Sequence, residues 1–165
     1  MSQKLILHDL DNPPRDWTKP ETVVWSAKPK IRPCLGCFGC WVKTPGQCVI
    51  NDRGREMPSL LGNAGEIIFI SRLVFGHLSP EVKTVIERSL ASLLPFMIIK
   101  NGRMVHEGRR THDFSLKGVF YGHNSEEARS LAADIIAGNA LNLGAQICET
   151  LFFNNLPELL EKFCP

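Results

Sequence analysis

Four cysteines lie close together in the first third of the chain: Cys34, Cys37, Cys40 and Cys48. Two residues separate each of the first three from the next, a spacing that lets a curling backbone turn several sulfur atoms toward one centre. Thiolates in such a series are the usual ligands of an iron–sulfur cluster, with a fourth thiolate from further along the chain. We therefore predict these four cysteines as candidate metal ligands.

The same cysteines allow other interpretations. A zinc site usually takes two separated pairs of ligands, which three evenly spaced cysteines fit less well. Redox switching by the thiols is another interpretation, and a tight loop of four free thiols is a further one. Gly36 and Gly39 occupy the gaps, where a turning backbone favours residues without a Cβ. The spacing alone leaves these alternatives open.

The composition is that of an ordinary globular protein. The 165 residues are 44% hydrophobic and 22% charged, with a formal net charge of +2, which predicts a single domain spanning residues 1–165. So small a net charge favours neither a nucleic-acid nor a membrane partner. The N-terminal apolar run is too short for a signal peptide, and no apolar run approaches the length of a membrane span. We expect a cytoplasmic protein, in which thiols stay reduced.

Strand-like and helix-like segments alternate along the chain, which predicts an α/β doubly wound domain with a parallel five-stranded sheet. Ligands of such sheets bind at the carboxyl ends of the strands, and the cysteine loop, which follows the second strand, is expected at the same edge. The predicted strands are residues 4–7, 22–25, 66–70, 116–121 and 145–153. Helices are predicted over residues 57–63 and 156–163. Another helix is predicted to begin at Ser79, with an apolar stripe as far as Leu94. A further helix is predicted to begin at Asn124 or Ser125.

The connection between the first two predicted strands is unusual. Residues 11–20 contain three prolines, so this stretch is too short and too broken for a full crossover helix. We expect that helix to be shortened or missing and the sheet face beside it to be bare. Trp17, Trp25 and Trp41 cluster in this third of the chain, and large aromatic residues are enriched at interfaces. This pattern favours a homodimer over tryptophans that pack internally.

A charged insertion, residues 100–113, separates the third predicted helix from the fourth strand. It has the length at which loops tend to be functional. Lys100, Arg103, Arg109 and Arg110 are candidate contacts for an anionic ligand or a partner subunit. A solvated hairpin is the favoured interpretation, because runs of charge normally face solvent.

Two stretches of the chain carry a resemblance to a known family. The first contains Cys34, Gly36, Cys37, Cys40, Pro45, Gly46, Cys48 and Asp52, and the second contains Ser71, Gly76, Ser79, Lys83, Glu87 and Arg88. On these residues the chain resembles the NADPH-dependent FMN reductase and iron–sulfur flavoprotein family of flavodoxin-like proteins. The resemblance runs from about residue 22 onward.

The resemblance implies a flavodoxin-like redox protein that moves electrons through FMN, a [4Fe-4S] cluster, or both. It implies that NAD(P)H is the reductant and that the protein is an NAD(P)H-dependent flavin oxidoreductase. The electron donor or acceptor would be a small molecule or a protein. The cluster would be bound by the four cysteines, and the flavin by the loops after the third and fourth strands. The candidate flavin contacts are Ser71, Arg72, Leu73, Val74, Phe75, Gly76, Tyr121, Gly122, His123 and Asn124.

The chain departs from the family where the family holds FMN. The Ser/Thr-rich loop and helix that bind the FMN phosphate have no counterpart after the first strand, so we predict weaker flavin binding. Arg72 stands where the family has proline, and Val74 where it has a flavin-contacting tyrosine; Arg72 is a candidate bidentate donor to the phosphate. The alternative hypothesis is a dimeric relative that has lost FMN binding and serves as a binding or structural module.

Overall fold

A computed structural model describes residues 3–123 and 125–163 of the chain. Asn124, one of the candidate flavin contacts, lies outside these residues. The strands are β1 (Gln3–His8), β2 (Thr22–Ser26), β3 (Ala64–Arg72), β4 (Leu93–Lys100), β5 (Arg103–Gly108), β6 (Ser115–Tyr121) and β7 (Ile147–Phe153). The helices are α1 (Gly39–Val42), α2 (Met57–Asn63), α3 (Pro80–Glu87), α4 (Glu126–Leu143) and α5 (Leu156–Lys162).

The main sheet is parallel and has five strands in the order β2-β1-β3-β6-β7. Numbered among themselves, these strands run 2-1-3-4-5, the order of flavodoxin-like sheets, which confirms the predicted fold. The central strand β3 buries residues 67–70 completely, as its apolar run indicates. Because all five strands are parallel, their carboxyl ends meet at one edge, called the carboxyl edge below.

The starts of the two main helices follow from local sequence. The Ser79 hydroxyl accepts the Val82 N–H at the start of α3, and the Ser125 hydroxyl accepts the Ala128 N–H at the start of α4. α4 ends at Gly144, whose φ of 85° is favourable for glycine. In the described part of the chain, no helix is both long and apolar enough to cross a membrane.

The prediction of a helical stripe as far as Leu94 is wrong. α3 ends at Glu87, a 3₁₀ turn covers Arg88–Ser92, and β4 begins at Leu93. The physical reason is Pro95, because a proline disfavours helical backbone at the residue before it.

β4 and β5 form a separate antiparallel hairpin. Asn101 and Gly102 make its two-residue turn with φ values of 52° and 73°, which is the primed turn that an Asn-Gly pair favours. The predicted hairpin within residues 100–113 is confirmed for its turn and its second strand. Its first strand lies before this segment and begins at Leu93, seven residues before Lys100.

Two arginines of the insertion are held by the protein itself. The Arg109 Nε donates to the Ala91 carbonyl at 3.0 Å, and the Arg110 guanidinium donates to the Leu61 and Ala64 carbonyls. Burial lowers the pKa of Arg110 to about 10. Both guanidinium groups therefore have hydrogen-bond partners within the protein and need no anionic ligand.

The missing first crossover helix is confirmed, since the β1–β2 connection has only a 3₁₀ turn at Arg15–Trp17. The expectation of a bare sheet face beside it is wrong. Trp17 is only 2% exposed, and its ring meets that of Phe163 edge to face, with centroids 6.5 Å apart. Together with α5 they cover a buried cluster that includes Ile6 and Ile68.

The other two tryptophans also have internal partners. Trp25 is buried, its Nε1 donates to Glu56 at 2.5 Å, and the Arg53 guanidinium lies 4.0 Å from its ring centroid. Trp41 is half-buried and donates to the Leu93 carbonyl at 3.0 Å. The tryptophans therefore do not supply the interface that the sequence analysis assigned to them.

Candidate functional site

The loops after β1, β3 and β6 meet at the carboxyl edge. The Leu73 N–H donates to the Tyr121 carbonyl at 3.0 Å, and the Asp9 N–H donates to the Ile70 carbonyl at 3.3 Å. The Gly122 N–H donates to the Phe153 carbonyl at 3.1 Å, which ties in the end of β7. The structure thus brings the two predicted flavin-binding loops together.

Asp9 lies directly after β1 and is almost completely buried. Its Oδ2 accepts the Arg72 N–H and its Oδ1 accepts the Tyr121 hydroxyl, both at 3.0 Å. Burial, followed by the charge of Asp9, raises the pKa of Tyr121 above its usual range, so the phenol remains a donor. A carboxylate therefore occupies the position directly after the first strand, and two donors from the neighbouring loops hold it there. Asp9 is not among the predicted site residues, although an acidic residue directly after an apolar strand is a signal for one.

The neighbouring His8 does not offset the charge of Asp9. It is buried, and its Nδ1 accepts the Leu10 N–H at 3.1 Å. Burial lowers the pKa of His8 to about 4, against the opposing effect of Asp9. The ring is therefore neutral at pH 7.

A tight turn after β3 displays an aromatic ring at the carboxyl edge. Val74 and His77 exchange two backbone hydrogen bonds of 2.9 Å, with Phe75 and Gly76 between them. Phe75 has a φ of 49° and a side chain that is 98% exposed. Such a backbone costs a residue with a Cβ roughly 1–2 kcal/mol, and strain of this kind points to a functional position.

The remaining predicted flavin contacts differ in accessibility. Ser71 and Leu73 are buried, and the Ser71 hydroxyl accepts the Ser79 N–H at 2.8 Å, so these two residues shape the loop. Gly76 is required by close packing as well as by its φ of 73°, since a Cβ there would lie 2.7 Å from Leu131. Arg72 is exposed, and within the described residues its guanidinium makes no hydrogen bond. His123 is also exposed.

The four cysteines line one small cavity of about 20 Å³, which also touches Arg88. Cys34 and Cys37 are exposed, whereas Cys40 and Cys48 are partly buried. A cavity of this volume holds roughly one water molecule. Across residues 3–123 and 125–163, no group of three or more histidine, cysteine or acidic side chains is arranged to hold a metal ion.

The cysteines as placed do not fit a [4Fe-4S] cluster, which is far larger than one water molecule. Burial, and then the neighbouring Cys48, raises the pKa of the Cys40 thiol. A cluster would therefore require the loop to open. The assignment of the four cysteines as ligands stays a prediction.

A buried ion pair fixes the cysteine loop. The Arg88 side chain is completely buried and donates to both carboxylate oxygens of Asp52, at 2.7 and 3.0 Å, and to the Arg32 carbonyl at 2.5 Å. The hydrogen bond from Arg88 is the main reason that the pKa of Asp52 lies below its usual range. Burial alone would lower the pKa of Arg88. The interactions with Asp52 and the Cys48 thiol outweigh this effect, so the pKa of Arg88 is raised.

The cysteine loop runs beside α3, since Lys30 pairs with Glu81 at 3.3 Å and Arg88 donates to the Arg32 carbonyl at 2.5 Å. The segment after the loop also returns to the end of β2, because the Arg53 guanidinium donates to the Ser26 and Lys28 carbonyls. The expectation that the cysteines lie at the carboxyl edge stays a prediction. A strand identifies where a loop begins, and the path of the loop beyond it depends on tertiary contacts.

No known protein family matches the chain in sequence, and no curated protein matches it. Solved structures resemble its fold. An azoreductase from Bacillus anthracis str. Sterne has 12% identity and a TM-score of 0.60, with 98% of this chain and 92% of that chain covered. An FMN-dependent NADH-azoreductase from Bacillus anthracis str. Ames Ancestor, in complex with FMN, has 10% identity and a TM-score of 0.57, with 98% and 93% covered. At such identities the likeness establishes a flavodoxin-like fold and nothing further.

Proposed function

We propose that this protein is a flavodoxin-like redox protein that binds a flavin at the carboxyl edge. The observation that carries the proposal is Phe75, whose ring is held in solvent by a strained two-residue turn beside the end of β6. An exposed aromatic ring in that position offers a flat face on which a flavin ring can stack. The azoreductase of the same fold that was solved with FMN supports the choice of cofactor, and its description as NADH-dependent supports NAD(P)H as the reductant.

The chain's own residues would bind and orient this cofactor. Phe75 would stack on the ring, and the exposed guanidinium of Arg72 would meet the phosphate as a bidentate donor. The flavin supplies the electron and hydride chemistry when bound. The resulting enzyme would be an NAD(P)H-dependent flavin oxidoreductase with a small-molecule or protein acceptor.

The proposed affinity for FMN is weak. Each charged hydrogen bond to a phosphate contributes roughly 1.5–3 kcal/mol, so the loss of two weakens binding by roughly two to four orders of magnitude. The buried charge of Asp9 further opposes a phosphate near β1. If repulsion by Asp9 offsets the contact with Arg72, riboflavin, which has no phosphate, should bind about as well as FMN.

Titration of FMN and riboflavin, followed by quenching of flavin fluorescence, tests the proposal. We expect both to bind in the micromolar to millimolar range, with affinities within about tenfold of each other. Nanomolar binding of FMN alone would show that a phosphate site exists. If neither flavin binds at millimolar concentration, the flavin proposal fails and the alternative is favoured.

The alternative is a dimeric relative that has lost FMN binding and serves as a binding or structural module. A specific observation favours it: the buried carboxylate of Asp9 at the carboxyl edge already accepts the Arg72 N–H and the Tyr121 hydroxyl, so these two donors are not free for a ligand. The flavin titration separates the two functions.

A [4Fe-4S] cluster on the four cysteines is a separate hypothesis that rests on their spacing. Anaerobic purification followed by assays of iron and acid-labile sulfide tests it. About four of each per chain would support the cluster. Colourless protein that takes up neither element on anaerobic reconstitution contradicts it, and one zinc per chain would indicate a structural zinc site. The cytoplasmic location and the homodimer also remain proposals.

A further inference from the structure

The β4–β5 hairpin keeps several large apolar side chains in solvent. Successive side chains of a strand point to opposite faces, so both faces of the hairpin contribute. Each of these side chains is between 40% and 68% exposed: Phe96, Met97, Ile98, Ile99 and Met104. Single exposed apolar residues are normal, whereas a contiguous set marks an interaction site.

The same hairpin has an unprotected edge. β5 packs beside α4, but within the described residues β4 pairs with no strand other than β5. From Leu93 to Ile99 the strand carries no charged residue, and its proline, Pro95, lies near its start. Monomeric proteins usually protect such edges with charges, bulges or covering loops. A two-stranded sheet is also marginal by itself, and further strands stabilise it.

The turn determines which backbone groups of β4 face outward. Lys100 and Arg103 flank the two-residue turn and are paired, so they exchange both hydrogen bonds. Bonded and non-bonded pairs alternate along an antiparallel ladder. Ile98 is therefore bonded to Val105 of β5, whereas the N–H and C=O groups of Met97 and Ile99 point away from β5.

We propose that β4 pairs antiparallel with β4 of a second copy of this chain, about a two-fold axis at Ile98. In this register Met97 lies opposite the partner's Ile99, and Ile99 lies opposite the partner's Met97. All of these residues have outward-facing backbone groups, so the pairing satisfies every one of them. The product is a four-stranded intermolecular sheet with a self-complementary interface.

The binding partner that fits this surface is a second copy of the chain. A strand whose exposed groups are symmetric about its own centre is complementary to itself, and its uncharged edge brings no like charges together. The apolar side chains of the two paired strands would contact one another on both faces of the four-stranded sheet, which buries part of the roughly 100 Å² that each exposes. Phe38, which stacks on Trp41 with ring centroids 5.3 Å apart, extends the surface, because Trp41 in turn contacts His106 of β5 at 4.9 Å.

Sedimentation velocity over a range of micromolar concentrations tests the proposal, with Ile99→Lys as the variant. We expect a dimer for the unchanged chain and a dissociation constant at least roughly tenfold higher for the variant, since a lysine on an edge opposes pairing. Ile147→Lys is the matched control, because Ile147 is also an isoleucine in an edge strand and is 67% exposed, against 68% for Ile99. A monomeric unchanged chain, or equal weakening by both variants, overturns the proposal.

Amide hydrogen exchange tests the register independently of any substitution. The Met97 and Ile99 amides should exchange slowly at high protein concentration and rapidly on dilution, whereas the Ile98 amide should be protected at both. A dimer in which the Met97 and Ile99 amides exchange rapidly would place the interface elsewhere. The proposal does not depend on flavin binding, so it can fail or succeed separately from the proposed function.

Discussion

The Tyr121 hydroxyl donates a hydrogen bond of 3.0 Å to Asp9 Oδ1, which connects the ends of β6 and β1 across the central strand β3. This contact places a buried negative charge at the carboxyl edge and keeps a phenol protonated beside it. Any anionic ligand at this edge must lie near that charge. Under the proposed function, the pair would therefore favour a flavin without a phosphate over FMN.

Replacing Asp9 by asparagine should raise the affinity for FMN roughly tenfold and leave the affinity for riboflavin unchanged. The substitution removes a charge that repels the phosphate in a poorly solvated position. Fluorescence titration with both flavins measures the effect. Asp11→Asn is the control, because the Asp11 carboxylate is exposed and pairs with Lys28 at 2.8 Å. An equal change for both flavins would contradict the assigned role of Asp9.

Replacing Phe75 by asparagine should stabilise the protein by about 1 kcal/mol and weaken flavin binding. Asparagine tolerates the left-handed backbone that Phe75 adopts, and Asn-Gly is a preferred pair in this turn. Chemical denaturation and flavin titration measure the two effects. Phe38→Asn is the control, since Phe38 also has a positive φ, of 54°, but lies in the cysteine loop. If both variants weaken flavin binding equally, Phe75 is not the stacking residue.

The stability of the protein should fall as the pH decreases from about 6.5 to 4. The folded state keeps His8 neutral down to a pKa of about 4, whereas the unfolded chain takes up a proton near pH 6.5. The unfolded state therefore binds more protons in this window, and roughly 3 kcal/mol of the free energy of unfolding is lost across it. Urea denaturation at several pH values measures the loss. His8→Asn keeps an acceptor for the Leu10 N–H and should flatten the profile; an unchanged slope would exclude His8 as the cause.

Removing Asp52 should destabilise the protein by about 3 kcal/mol, because the completely buried guanidinium of Arg88 then loses its charged partner. The partial exposure of Asp52 admits water, so the loss should lie at the lower end of the range for buried pairs. Denaturation of Asp52→Ala measures it, and the double variant Asp52→Ala with Arg88→Met should recover part of the loss. Lys83→Ala breaks an exposed ion pair with Glu87 and should change stability by less than about 1 kcal/mol. Strict additivity of the Asp52 and Arg88 substitutions would show that the two residues are not coupled.

Much of the fold was predictable because the strands of the main sheet have simple apolar patterns. The secondary structure and packing of residues that depend on distant contacts were not predictable. The segment from Leu90 to Leu94 suits a helix as well as a strand, and only Pro95 distinguishes the two. Trp17 looked like an interface residue because its partner, Phe163, is remote in sequence.

The candidate site was predictable to the level of its loops. The strand order brings the segments after β3 and β6 together, so the pattern identified them. Asp9 directly follows the apolar first strand, which is a sequence signal, but only the tertiary structure shows that it is buried against Tyr121. The position of the cysteines depends on the Asp52–Arg88 pair, which no local pattern encodes.

The contact between Trp17 and Phe163 has a consequence for how the chain is made. A ribosome makes Trp17 well before Phe163, yet the two rings cover the same sheet face. During translation, Ile6 and Ile68 therefore stay exposed to solvent or to a chaperone until α5 has emerged. A nascent chain that stalls before α5 would present this uncovered layer to other nascent chains, and synthesis of the helix is the step that ends this vulnerability.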